Sequence, residues 1–137
     1  YNTSSNVVSI NSPSNIRTIN FSVDAGGFDV TTGIKKYSGK SPYAGTITGW
    51  DIAGDVSGSV VFDIWKGSGI HPPTFSKSIT GVQAPNAVKK QFVSSTSTSL
   101  AAWNRTFNTG DMFAIVINSV SGFSQIDLCI KYVESSP

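Results

Sequence analysis

Cysteine and histidine are almost absent from this 137-residue chain, since each occurs only once. A single cysteine, Cys129, excludes a disulfide within the chain, and together with one histidine it excludes a standard zinc site built within one chain. The aspartates do not follow the spacing of an EF-hand loop, and those beside glycine-rich bends are more typical of plain turns. The sequence therefore predicts neither a metal site nor a cofactor.

Charge is also scarce. Charged residues make up 13% of the chain, and the formal net charge is only +2. The basic pairs Lys35-Lys36 and Lys89-Lys90 lie far apart in the sequence. Nucleic-acid binding needs a dense basic surface, so we expect no nucleic-acid partner. No apolar run reaches the length of a membrane span, so the sequence predicts no insertion into a membrane.

The chain has no segment with the 3.6-residue apolar spacing of an amphipathic helix. Short runs instead alternate in period two, between turns rich in Gly, Ser, Asn and Pro. This pattern is typical of an all-β antiparallel β-sandwich, and we expect connectivity of jelly-roll type. The polar residues 1–15 are interpreted as an N-terminal arm or linker, and residues 16–137 as a single β-sandwich domain.

The strongest pattern lies at the centre of the chain. Residues 46–53 and 59–66 form two alternating runs, joined by the turn-forming residues 54–58, which predicts a β-hairpin in the middle of the core. In the second run one face is wholly apolar, and the other carries Asp63 and Trp65. We predict a core in which eight residues are buried together: Val60, Phe62, Ile64, Ile115, Ile117, Ile126, Leu128 and Ile130.

The remaining pattern predicts the outer elements. Residues 83–90 contain a proline and little periodicity, which favours a loop. Strands are expected at residues 18–23, 34–37, 75–80, 91–94, 99–107, 112–117 and 125–132. Residues 108–111, with the sequence Asn-Thr-Gly-Asp, are a strong turn signal.

Residues 112–117 are apolar on both faces, so this strand must be covered twice. A neighbouring subunit around a threefold axis would be one such cover, and a long loop of the same chain is the alternative. We take the first interpretation and expect a homotrimer.

Catalytic residues are not apparent in the sequence. Nucleophilic catalysis needs a nucleophile, a base and an orienting acid, and the sole histidine, His71, stands before two prolines. Glycosidase chemistry needs two facing carboxylates, and the aspartates here lie mostly at turns. We therefore expect no enzymatic activity.

Carbohydrate binding is the better hypothesis, because aromatic faces combined with a few polar groups suit saccharides. Trp50 is in phase with Ile52 and is interpreted as core. Trp65 is interpreted as a core or interface residue, with sugar contact as the alternative. The candidate ligand-binding residues are Trp65, Asp63, His71, Tyr43 and Tyr37.

Two motifs carry a resemblance to a known family. They are YAGTITGW at residues 43–50 and SGSVVFDIWK at residues 57–66, followed by PPT at residues 72–74 and TGDMF at residues 109–113. This pattern resembles a β-sandwich domain of tailed-bacteriophage virion appendages, such as tail fibres, spikes and head fibres. The resemblance runs from about Phe28 to Val133.

The resemblance implies a place on the virion surface and attachment to the host cell surface, with a glycan as the expected ligand. It also implies contacts with other virion proteins and agrees with a homotrimer. Two alternatives stay open: a decoration or cementing protein that binds the capsid, and a carbohydrate-binding module cut from a larger polysaccharide-active enzyme.

Overall fold

The computed structural model describes residues 15–68, 78–96 and 98–135. Within them the strands are β1 (Ile16–Asp24), β2 (Gly33–Tyr37), β3 (Gly45–Gly67), β4 (Asn86–Ser94), β5 (Thr106–Phe107), β6 (Met112–Ser121) and β7 (Gln125–Glu134). Every pairing between them is antiparallel. The predicted all-β antiparallel fold is confirmed. The strands form one curled sheet, so the sandwich with jelly-roll connectivity stays a prediction.

The predicted arm at residues 1–15 lies almost entirely outside the described residues, as does His71. No helix in the described ranges is long and apolar enough to cross a membrane.

The sheet is organised around β3, which runs without interruption for 23 residues. Its first half pairs with β7 as far as Gly54, and its second half pairs with β6 from Ser59 onward. Strand β4 pairs with both halves. The predicted hairpin at residues 46–66 is therefore wrong, because the chain bends at residues 54–58 without reversing.

The bend is filled from another part of the chain. The ring of Phe123, which is fully buried, lies against Gly54 and Gly58. A Cβ atom at Gly54 would overlap this ring, and one at Gly58 would lie 2.8 Å from it. Asp55 Oδ1 accepts hydrogen bonds from the backbone N–H groups of Ser124 and Gln125, at 3.1 and 3.2 Å. The glycines that suggested a tight turn thus make room for an aromatic ring inside a curved strand.

The core prediction is confirmed. All eight predicted residues belong to one buried cluster, and Phe62 is only 1% exposed. Trp50 and Ile52 are buried with them, as their shared phase predicted. The alternation in this part of the sequence therefore reports the inner face of the sheet correctly.

Two outer elements differ from the prediction. Residues 86–90 are strand rather than loop, because β4 extends along the second half of β3 as far as Val61. Residues 98–103 are turns rather than strand, and β5 covers only two residues. Trp103 is buried there, and its Nε1 donates a hydrogen bond to the Gln83 carbonyl at 2.7 Å. Local periodicity did not separate strand from loop or turn in these two segments. Pairing with β3 decides the conformation of the first, and packing of the Trp103 indole decides that of the second.

Residues 112–117 are buried on both faces within a single chain. The most exposed side chains among them are Met112 at 7% and Val116 at 6%. The cover that the sequence required is therefore present without a neighbouring subunit. This stretch no longer supports a trimer, and the homotrimer stays a proposal.

Strands β1 and β2 lie at the two ends of the pairing order. Two hollows lie between them. The start of β1 lines one hollow together with residues 38–43, which follow β2, and the end of β1 lines the other together with residues 29–36. The two strands therefore run in opposite directions past each other with no pairing between them. The space between them at the first of these ends is the site considered next.

Candidate functional site

An open cleft of about 530 Å³ lies between the start of β1 and residues 38–43. Residues 16–19 form one wall, and the segment from Ser38 to Tyr43 forms the other. Phe113 and Tyr132 form the floor. We call this space the Arg17 cleft, after the cation on its β1 wall. Its volume is typical of a pocket for a small molecule or one or two sugar rings.

The wall opposite β1 is held by hydrogen bonds to the start of β6. The Ser38 N–H donates to the Phe113 carbonyl, and the Phe113 N–H donates to Ser38 Oγ, both at 2.8 Å. Ser41 donates its N–H to the Asp111 carbonyl at 2.8 Å, and its hydroxyl donates to the Tyr43 carbonyl at 2.7 Å. The segment is therefore preorganised although it is not a strand.

The floor is an aromatic cluster. The Phe107 ring packs edge-on against Phe113 and Tyr132, with centroids 5.4 and 5.0 Å apart. A Cβ atom at Gly45 would lie 2.7 Å from the Tyr132 ring. Gly45 therefore lets β3 approach this cluster closely. Burial raises the pKa of Tyr132, against the opposing effect of the Arg17 charge.

Arg17 is the charged centre of the cleft. Its Nε donates to Glu134 Oε1 at 2.6 Å, and its guanidinium carbon lies 4.0 Å from the centroid of the Tyr43 ring. The hydrogen bond to Glu134 raises the pKa of Arg17 despite partial desolvation. The stacked, ion-paired side chain is held in one plane, which is how arginine is used for directional recognition.

The predicted ligand-binding residues do not gather at one place. Tyr43 lines the Arg17 cleft, and Tyr37 is exposed at the end of β2, just before the cleft wall. Asp63 and Trp65 lie on the second half of β3, away from the cleft lining. His71 falls outside the described residues.

Asp63 is buried and fully engaged within the chain. Oδ1 accepts hydrogen bonds from the Ile64 N–H at 2.8 Å, the Ser78 hydroxyl at 2.7 Å and the Thr80 hydroxyl at 3.0 Å. Oδ2 accepts one from Trp65 Nε1 at 3.0 Å. The carboxylate thus orients the indole and fastens residues 78–80 onto β3. This network is a structural reason for an Asp-x-Trp pattern.

Asp111 is the other buried aspartate among the described residues. Its Oδ1 accepts from the Ser68 hydroxyl at 2.7 Å and its Oδ2 from the Asn108 N–H at 2.8 Å, which closes the turn before β6. In the described part of the chain, no group of three or more His, Cys, Asp or Glu side chains is placed to hold a metal ion.

Sequence reasoning missed Arg17 and Lys40, which line opposite walls of the cleft; Lys40 also borders a second hollow beside Asp111. Arg17 is separated from Glu134 by 117 positions, so no local pattern links them. The available signal was weak: Arg17 sits in the polar phase of an alternating strand. Comparison of this chain with family models, with curated proteins and with solved structures gives no match.

Proposed function

We propose that this chain is a non-catalytic domain of a tailed-phage virion appendage, and that it attaches the particle to saccharides on the host cell surface through the Arg17 cleft. The observation that carries the proposal is the cleft itself. It combines an aromatic ring at Tyr43 and cations at Arg17 and Lys40 with a wall that hydrogen bonds of Ser38 and Ser41 hold in place. Such a mixture of flat apolar and polar groups suits a sugar.

The residues with structural roles and the residues of the cleft lie in different parts of the sequence, which supports this assignment. Residues of the two phage-like motifs have structural roles: Gly45 and Gly58 allow close packing, and Asp63 fastens residues 78–80. Most of the cleft residues lie outside those motifs, and Tyr43 stands at the edge of the first. A shared frame with a separate contact surface is what domains serving different hosts require.

The non-catalytic part of the proposal rests on what the carboxylates do. Asp63 and Asp111 use both oxygens, and Asp55 one, as acceptors for donors of their own chain. A general acid or base needs a carboxyl group directed at substrate. These groups are instead engaged in turns and in the β3 network.

A contact with other virion proteins or with further copies of the chain is proposed at β4. Val88 and Phe92 project outward from this strand and are 64% and 67% exposed. Exposed large apolar side chains on a sheet favour a protein contact. This observation also favours the second candidate function, a decoration protein that binds the capsid.

The test of the proposal uses the purified chain and two matched tyrosine variants. Binding to host cells and to an array of bacterial surface saccharides is measured for wild type, Tyr43→Ala and Tyr37→Ala. We expect Tyr43→Ala to weaken binding at least about tenfold, the loss of one well-placed contact. Tyr37→Ala, which lies off the cleft, should bind like wild type. Thermal unfolding checks that both variants fold.

Two results would overturn the proposal. Absence of any saccharide or cell binding by the wild-type chain at millimolar ligand would remove the attachment function and leave the capsid as the partner. Turnover of a polysaccharide by the chain would remove the non-catalytic assignment.

A further inference from the structure

The Arg17 guanidinium is held in place by Glu134 and Tyr43 and still has N–H donors that a ligand can use. Its Nε bonds to Glu134 Oε1, while its terminal nitrogens have no hydrogen-bond partner among the described residues. One face of the group is covered by the Tyr43 ring. The Arg17 side chain is 37% exposed, so a ligand can approach the terminal N–H groups in the plane of the guanidinium, along its edge. That edge presents two parallel donors, the geometry that matches a planar carboxylate.

Lys40 supplies a second cation from the other wall of the same cleft. Its side chain is exposed, so it can reach a ligand without first losing a buried contact. The charged side chains that line or close the cleft are Arg17, Lys40 and Glu134, which leaves one net positive charge. A ligand group with a single negative charge balances this sum. A doubly charged group would leave one negative charge uncompensated in the cleft.

From these contacts we propose that the Arg17 cleft selects a saccharide unit bearing a carboxylate, such as a uronic or sialic acid. The carboxylate binds between Arg17 and Lys40, and the sugar ring lies over the aromatic floor beside Tyr43. This inference rests on the proposed saccharide-binding function and narrows its ligand class. It assigns Glu134 the role of an internal competitor, which occupies one side of Arg17 and tunes the affinity.

The experiment compares each acidic saccharide with its own neutral derivative. The probes are oligosaccharides of glucuronate, galacturonate and mannuronate and a sialylated oligosaccharide, each beside its carboxyl-reduced form, with oligomeric glycerol phosphate as a separate arm. Calorimetry or NMR titration gives the affinity. We expect at least one acidic probe to bind about tenfold or more tightly than its reduced form, the effect of one charge-assisted contact.

Charge variants test the geometry. Arg17→Gln and Lys40→Gln should each weaken binding of the acidic probe about tenfold or more, and weaken binding of the reduced form by a clearly smaller factor. Lys36→Gln is the matched control, because it removes the same charge from β2 in the separate hollow at the other end of β1. Glu134→Gln should strengthen binding of the acidic probe, since it removes the competing charge and keeps an acceptor for Nε.

The outcomes separate this inference from the function on which it rests. Equal, Tyr43-dependent binding of acidic and reduced forms would overturn the carboxylate selection while the saccharide function stands. Tighter binding of the glycerol phosphate oligomer than of every acidic sugar would overturn it as well. Unchanged or weaker binding by Glu134→Gln would overturn the competitor role. No binding of any probe would overturn the carboxylate selection, and the saccharide function is overturned with it only when the host-cell and array measurement is negative as well.

Discussion

At the scale of single residues, buried polar groups do more to define this fold than its few surface charges. Asp63 is 6% exposed and accepts four hydrogen bonds from its own chain. A buried carboxylate is tolerated only where such donors replace water. Its loss would remove the acceptor of two buried donors, the Ile64 N–H and the Thr80 hydroxyl.

We therefore predict that Asp63→Ala lowers the free energy of unfolding by about 3 kcal/mol or more, because each buried donor left unpaired costs about 1–3 kcal/mol. Denaturant unfolding measures the change. The matched control is Asp127→Ala, on the exposed side of β7, with an expected effect within about 0.5 kcal/mol. Equal effects of the two variants would contradict the structural role of Asp63.

A second residue-scale prediction concerns pH. The Ser94 hydroxyl beside Asp51 lowers the pKa of this carboxyl, partial burial opposes the shift, and Lys131, with its Nζ 2.9 Å from Oδ2, adds to it. Because the folded pKa lies below the unfolded one, ionised Asp51 stabilises the protein above about pH 4, the pKa of an unfolded aspartate. This stabilisation is lost as the pH falls through the lower folded pKa.

The measurement is the unfolding free energy of wild type and Asp51→Asn at pH 7 and at pH 2.5. The variant should be less stable at pH 7, and the difference should shrink at pH 2.5. The effect is expected to be small, since the Asp51 side chain is about one-third exposed. A difference that grows on acidification would show that the sign is wrong.

At the scale of elements, the curvature of β3 is the decisive feature. The first half of this 23-residue strand pairs with β7 and the second half with β6, and its pairing with β4 shifts register between Ala53 and Gly58. Phe123, in the connection between β6 and β7, fills the inside of the bend where Gly54 and Gly58 carry no side chain. Bend and connection therefore depend on each other.

This dependence can be measured with a double-mutant cycle on Gly54 and Phe123. Gly54→Ala alone should destabilise the protein by about 1–3 kcal/mol, because its methyl group would overlap the Phe123 ring. In a Phe123→Ala background, itself less stable by about 3–5 kcal/mol, the same change should have little further effect. Gly39→Ala is the control, since a Cβ atom there meets nothing within 4 Å. Additive effects of Gly54→Ala and Phe123→Ala would contradict direct packing.

At the scale of the whole molecule, the open question is assembly. The apolar strand that suggested a trimer is buried by its own chain, so the structural argument moves to the outward side chains of β4. We expect a homotrimer that uses Phe92 and Val88. Light scattering at micromolar concentration should give three times the monomer mass for the wild-type chain. The Phe92→Ser variant should give the mass of a monomer.

Val82→Ser is the control for this experiment, because Val82 is 92% exposed and lies outside β4. A single species of monomer mass for the wild-type chain would contradict an intrinsic trimer. Any threefold order would then have to be imposed by a larger assembly.

The alternating pattern is sufficient to identify the residues that face the core, because side chains alternate across a strand whatever its partners are. Val60, Phe62 and Ile64 were identified in this way, as was the turn closed by Gly110 and Asp111. These features depend on neighbours one to four positions apart. Local physics is sufficient for them.

How those strands meet depends on contacts between residues that are distant in the sequence. Residues 54–58 are compatible with a reversal or with a bend, and the choice depends on Phe123, far along the chain. The Arg17 cleft likewise depends on Glu134, 117 positions away, and on a wall that β6 holds in place. Contacts between residues so far apart leave no periodicity in the sequence. The alternation around Arg17 would be the same whether or not Glu134 were present, and the reverse also holds.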